Sequence, residues 1–137
     1  MGFDLEVEMI REAHALGLIT CPYVFNEDEA RAMASAGADV LIPHMGLTTK
    51  GAIGAKTALT LEQAASRVQA AHDAATAVNP DIIVLCHGGP ISEPEDAQYI
   101  LAHTKGIRGF FGASSIERLP TETAITACVR KFKAISP

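Results

Sequence analysis

Apolar positions along the chain alternate between two spacings, and each change of spacing marks an element boundary. Residues 3–16 set Leu5, Met9, Ile10, Ala13 and Leu16 at helical intervals among acidic positions, and Gly17 closes the pattern as a C-terminal glycine does. Leu18 to Phe25 is an apolar, β-branched and aromatic run that predicts a strand. Pro22 removes one ladder donor from it, which points to a sheet edge or an irregular pairing. Asn26 is placed to cap the next helix, with Glu27, Asp28 and Glu29 in a first turn where the helix dipole favours anions. Ala30, Met33, Ala34 and Gly37 mark its buried side.

Ala38 to His44 (ADVLIPH) reads as a second strand, and Gly46 opens a long loop that runs through Leu59. Thr60 caps a third helix whose apolar stripe is Leu61, Ala65, Val68, Ala71, Ala75 and Val78, with Glu62 in its first turn, and Asn79-Pro80 stops it. Asp81 to His87 (DIIVLCH) is apolar between its ends, as a strand covered on both faces must be. After Gly88-Gly89-Pro90, a short helix starts near Glu93–Pro94, carries Ala97, Ile100 and Leu101, and ends at Gly106. Ile107 to Phe111 predicts the fourth strand, leading into Gly112-Ala113-Ser114-Ser115. A last helix is expected to begin near Thr121 and to turn Ile125, Cys128, Val129 and Phe132 inward.

The order is thus an N-terminal helix followed by strand–helix four times. Strands separated by helices pair in parallel through right-handed crossovers. The 137 residues contain no linker or low-complexity segment, so residues 1–137 are expected to form a single domain. Two architectures accept this order, a doubly wound open sheet and part of a (β/α)8 barrel. A whole barrel needs roughly 250 residues and eight strands, so the α/β fold expected here is a parallel four-stranded half-barrel. The loops favour the barrel, because a barrel binds ligands beyond the carboxyl ends of its strands, and phosphate groups often at the last two. Here the last two predicted strands end in His87-Gly88-Gly89 and Gly112-Ala113-Ser114-Ser115.

Composition narrows the classes. Hydrophobic residues make up 48% and charged residues 20%, with a formal charge of −5, and no basic stripe is present to meet a nucleic-acid backbone. Cys21, Cys86 and Cys128 are an odd number without CxxC spacing, each among apolar neighbours. Buried free thiols and a reducing, cytoplasmic compartment are therefore expected. No apolar run approaches the ~20 residues of a membrane span, and the N-terminus has no signal-peptide core.

His44 and His87 are the candidate catalytic residues. Each ends a strand at the carboxyl edge, and neighbouring strands lie about 4.8 Å apart, so both imidazoles can reach one ligand as acid, base or anion holder. Gly88 and Gly89, with Gly112, Ala113, Ser114 and Ser115, form the candidate anion-binding loops. Glycine there lets backbone N–H groups approach a phosphate or carboxylate, although tight turning asks for the same residues. Lys50 or Lys56 in the long loop could clamp an anion, and Arg118 could grip one bidentately, against the plainer alternatives of a solvated lysine and a surface ion pair. Gly54-Ala55-Lys56-Thr57 is not a nucleotide-binding loop, because Ala55 stands where that motif requires glycine. His14, His72 and His103 lie among polar helical neighbours and receive no role, and Tyr23, Phe25, Phe110 and Phe111 are read as core or oligomer contact. No HExxH, CxxC or acid–histidine cluster marks a metal site, which leaves open a divalent ion bridging to a phosphorylated ligand.

The segments PYVFNEDEARAMASAGAD, HMGLTTKGAIGAKTALTLEQA, VLCHGGPISEPEDAQYI and GFFGASSIERLPTETAI resemble the C-terminal half of the phosphoenolpyruvate hydrolase-like family of TIM barrels. That family also goes by the description TIM-barrel signal-transduction proteins, and it is similar to the C-terminal domain of a plant virus-resistance protein. The resemblance runs from Met1 to Ile135. It implies a site for a small phosphorylated or carboxylated metabolite, with hydrolysis or carbon–carbon lyase chemistry. The alternatives are a non-catalytic ligand-sensing or protein-interaction domain, and a self-associating barrel fragment without activity. A half-barrel exposes sheet edges and an apolar inner face, so a homo-oligomer, most simply a two-fold dimer, is expected to cover them.

Overall fold

The computed structural model describes residues 2–56 and 59–135. Nine elements alternate among the described residues: α1 (Phe3–Ala15), β1 (Tyr23–Val24), α2 (Glu27–Ser35), β2 (Val40–Pro43), α3 (Leu61–Thr76), β3 (Ile83–Cys86), α4 (Pro94–Ala102), β4 (Gly109–Phe110) and α5 (Arg118–Lys133). The four strands form one sheet in the order β1-β2-β3-β4, every pair parallel. Each crossover returns beside the strand it left, so the order never reverses. A doubly wound sheet has such a reversal, at which its ligand crevice forms. The fold is therefore a parallel four-stranded half of a (β/α)8 barrel with an extra N-terminal helix.

Strand alternation decides what is covered. Val24, Leu41 and Val84 are fully buried against Met33, Ala71, Ala74 and Ala75 of the helices, and Cys86 packs with Val68, Ile91 and Ile100. Each aliphatic side chain so buried stabilises by about 1.5–3 kcal/mol. The intervening positions face the other way, onto a side that no helix among the described residues covers, although Ile42 there is buried between its neighbours. There Tyr23 pairs in register with Ile42, Val40 with Ile83, and Leu85 with Gly109.

Local signals act as the residues predict. The Asn26 side chain accepts the Glu29 N–H at 2.9 Å, and Thr60 closes a reciprocal capping box with Gln63. Pro22 lies beside the edge strand β1, where it donates nothing but still accepts the Ile42 N–H at 3.0 Å.

Three expectations need correction. The last helix begins at Arg118 rather than near Thr121, and none of its residues is buried. Ile125, Val129 and Phe132 are exposed, and among the described residues no buried side chain packs on that stripe. Cys86 alone among the cysteines is buried, and burial pushes its thiol up to about 11. Cys21 and Cys128 are exposed, since they belong to the uncovered sheet side and the uncovered helix. Among the described residues no helix is long and apolar enough to cross a membrane.

Candidate functional site

His44 and His87 follow β2 and β3 directly and are joined by a parallel bridge, which carries the sheet register one residue past the strands. Met45 N–H donates to His87 O at 3.0 Å, and His44 N–H to Val24 O at 2.8 Å. The two rings end 4.9 Å apart, edge to face.

Their outer hydrogen bonds differ in kind. His87 Nδ1 lies 2.7 Å from the Phe111 carbonyl oxygen, which can only accept, so Nδ1 carries a proton and the lone pair of the neutral ring is on Nε2. His44 Nδ1 accepts the Gly46 N–H at 3.0 Å, so the proton of its neutral ring is on Nε2. Burial, and then the neighbouring His87, hold the His44 pKa below the ordinary histidine value, so this ring is neutral at pH 7. The pair thus offers a base nitrogen on His87 and an N–H donor on His44.

Aromatic rings frame this pair. Tyr23 stacks on His87 at 5.1 Å and meets His44 edge-on at the same distance, Phe25 lies 5.3 Å from His44, and Phe111 5.6 Å from His87. Reading Tyr23, Phe25 and Phe111 as core or oligomer contact missed this. The missing signal was parity: Tyr23 and Phe25 are two apart, and strand register places them on the same side as both imidazoles.

The Gly88–Gly89 and Gly112–Ser115 turns lie at the same sheet edge, one after β3 and one after β4. Their roles differ. Gly88 and Gly89 are buried under the loop that follows β2, and both have positive φ. A Cβ on Gly89 would meet Met45 O at 2.2 Å, and the Gly89 N–H already donates to Gly46 O at 2.6 Å. Glycine is thus required there for two loops to touch. In the other turn, the N–H groups of residues 116–119 bond to the carbonyls of Ala113 and Ser114 and so form a helical turn into α5. No hydrogen-bond acceptor meets the N–H groups of Gly112, Ala113, Ser114 or Ser115 among the described residues. Those four groups, with the Gly88 N–H, which also donates to no acceptor among the described residues, are available to an anion.

The candidate cations are mostly engaged. Lys50 Nζ bonds Glu93 at 2.7 Å and Asp96 at 3.3 Å. Arg118 bonds Glu122 at 2.9 Å and the Lys50 carbonyl at 3.0 Å, and Glu122 also accepts the Ala52 N–H. Together these bonds strap the loop after β2 onto α4 and α5. Lys56 is exposed, and no hydrogen bond among the described residues ties it to the imidazoles or the turns. Thr57 and Ala58 of that loop lie outside the described residues.

The rim itself is acidic, with Glu27, Asp28 and Glu29 opening α2, Glu62 opening α3, and Glu95 and Asp96 opening α4. Each like charge about 10 Å away costs a ligand charge about 0.4 kcal/mol in water, and a dianion pays twice what a monoanion does. Among the described residues no cluster of three His, Cys, Asp or Glu side chains is set to hold a metal ion. A cavity of about 340 Å³ lies on the helix side, lined by Val24, Pro43, Met45, Arg67 and Ala71, and of the aromatic frame it shares only Phe25.

The model of a family described as phosphoenolpyruvate hydrolase-like matches residues 1–135. The ToMV resistance protein Tm-1(GCR237) of Solanum lycopersicum is 62% identical over 136 residues, which cover 99% of this chain and 18% of that protein. A putative transcriptional regulatory protein, y4pA of Sinorhizobium fredii, is 32% identical over 135 residues, covering 98% and 22%. The chain therefore spans about a fifth of the length of these relatives. Among solved structures, the nitroalkane oxidase of Streptomyces ansochromogenes is matched with a TM-score of 0.51 at 24% identity, over 80% of this chain and 31% of that one. The N-acetylmannosamine-6-phosphate 2-epimerase of Clostridium perfringens is matched with a TM-score of 0.50 at 15% identity, over 90% and 48%. These two likenesses bear on the fold alone.

Proposed function

Since the chain belongs to the phosphoenolpyruvate hydrolase-like family, we propose that its carboxyl edge is an enzyme-type site for acid–base chemistry on a small carboxylated or phosphorylated metabolite. The observation that carries this reading is the complementary hydrogen bonding of the two imidazoles. His87 Nε2 takes a proton from water or from a carbon beside a carbonyl. His44 Nε2–H donates to the oxygen on which charge develops, and the N–H groups of residues 112–115 hold the ligand's anionic group. A neutral donor at His44 suits this role, because it stabilises a forming oxyanion without first binding a proton. The open side of the sheet leaves the mouth without its far wall, and a second copy of the chain is the proposed cover.

Two probes test the reading: phosphate release from phosphoenolpyruvate, and solvent deuterium exchange at the methyl carbon of pyruvate. Either activity in the wild type, falling about 10²-fold or more in His87→Ala, supports it. Background rates for both probes in both proteins remove it.

A second reading, a ligand-sensing domain without turnover, draws on relatives named for virus resistance and transcriptional regulation. It predicts that the probes bind and are not consumed.

A further inference from the structure

Three features around the imidazole pair bear on ligand choice. The first is the aromatic frame, which remains open to a ligand: Tyr23, stacked on His87, is 39% and Phe25, beside His44, 61% exposed, while His87 itself is 7% exposed. Exposed rings beside a nearly buried polar group give a flat ligand an apolar face to lie on while its polar end reaches inward. The second is charge. Lys50 and Arg118 are held by Glu93, Asp96 and Glu122, so two of the three candidate cations are already neutralised, and no hydrogen bond among the described residues brings the exposed Lys56 to the turns. The third is the donor set, which consists of one neutral imidazole N–H and a few backbone N–H groups. Such donors satisfy a carbonyl oxygen and a single carboxylate charge, whereas a phosphate dianion calls for fixed positive charge.

We infer that the mouth selects an oxo acid with a flat substituent, a monocarboxylate whose carbonyl carries an aromatic ring directly or through one methylene, over a phosphate ester. This rests on the acid–base reading of His44 and His87 and narrows its ligand. The flat group lies against Phe25 and the Tyr23 edge, the carbonyl oxygen accepts from His44, and the carboxylate meets the 112–115 turn.

Calorimetric titration of the chain with phenylpyruvate, pyruvate, phosphoenolpyruvate and inorganic phosphate tests the selectivity. Phenylpyruvate is expected to bind at least about tenfold more tightly than phosphoenolpyruvate. Phe25→Leu, at an exposed position where folding is insensitive to the ring, is expected to close most of that gap. Phosphoenolpyruvate or phosphate binding as tightly as phenylpyruvate, and weakened by His87→Ala, overturns the selectivity while the acid–base reading survives. An unchanged preference in Phe25→Leu also overturns it. A wild-type protein that binds none of the four ends both.

Discussion

The His44 imidazole sits where burial and the neighbouring His87 both oppose a positive charge. An unfolded chain takes a proton at the ordinary histidine value of about 6.5, which the folded ring accepts only at lower pH. Between those two values the unfolded state binds more protons, so His44 makes stability rise with pH across that interval and leaves it flat on either side. In NMR titrations the His44 C2–H is expected to show a midpoint below that of free histidine. His87→Ala takes away the second of the two opposing influences, so the midpoint is expected to move up toward the ordinary value while burial keeps it from arriving. A wild-type midpoint at the ordinary value would mean that the two rings are not packed together in solution.

At the scale of elements, the loop after β2 and the turn after β3 support each other through backbone contact. Gly89→Ala is expected to cost about 2–4 kcal/mol, because it places a side chain at φ +59 and drives a Cβ into Met45 O. Gly17→Ala separates the two causes: φ is +73 there, but nothing lies within 4 Å, so about 1 kcal/mol is expected. Equal losses in urea unfolding would mean that the loop does not rest on the turn. The same contrast explains what could be read from the residues alone. Caps, stops and apolar runs are local, so Asn26, Thr60 and the DIIVLCH strand announced their elements directly. The register that brings His44 beside His87 followed from strand succession. The partners of Lys50 and Arg118 were hidden, because Glu93 lies 43 residues from Lys50 and the Lys50 carbonyl 68 residues from Arg118. Sequence spacing carries no trace of contacts between two loops. The apolar stripe of α5 misled for a related reason: amphipathic spacing reports that a helix has a face to bury, not that this stretch of chain supplies the surface to bury it.

For the whole molecule, the unburied side of the sheet is the dominant physical problem. Ile19 is 86% and Ile83 45% exposed, and they share that side with Tyr23, while β1 and β4 leave edges unpaired. A stable interface needs about 800 Å² from each partner, and two surfaces could supply it: the inner sheet face and the α5 stripe of Ile125, Val129 and Phe132. Only the first would also cover the imidazole pair, so the two are worth separating. Light scattering at tens of micromolar is expected to give about twice the 14.4 kDa monomer mass. Ile83→Glu would set a carboxylate opposite Val40 on the inner face and is expected to return the monomer, because an unpaired charge at the centre of an apolar contact is among the costliest single changes. Ile125→Glu is expected to leave the dimer intact. A monomeric wild type at that concentration would mean that the inner face tolerates water and that no second copy walls the mouth. If Ile125→Glu alone separates the copies, they join through the last helix, and the acid–base pair works on an open surface.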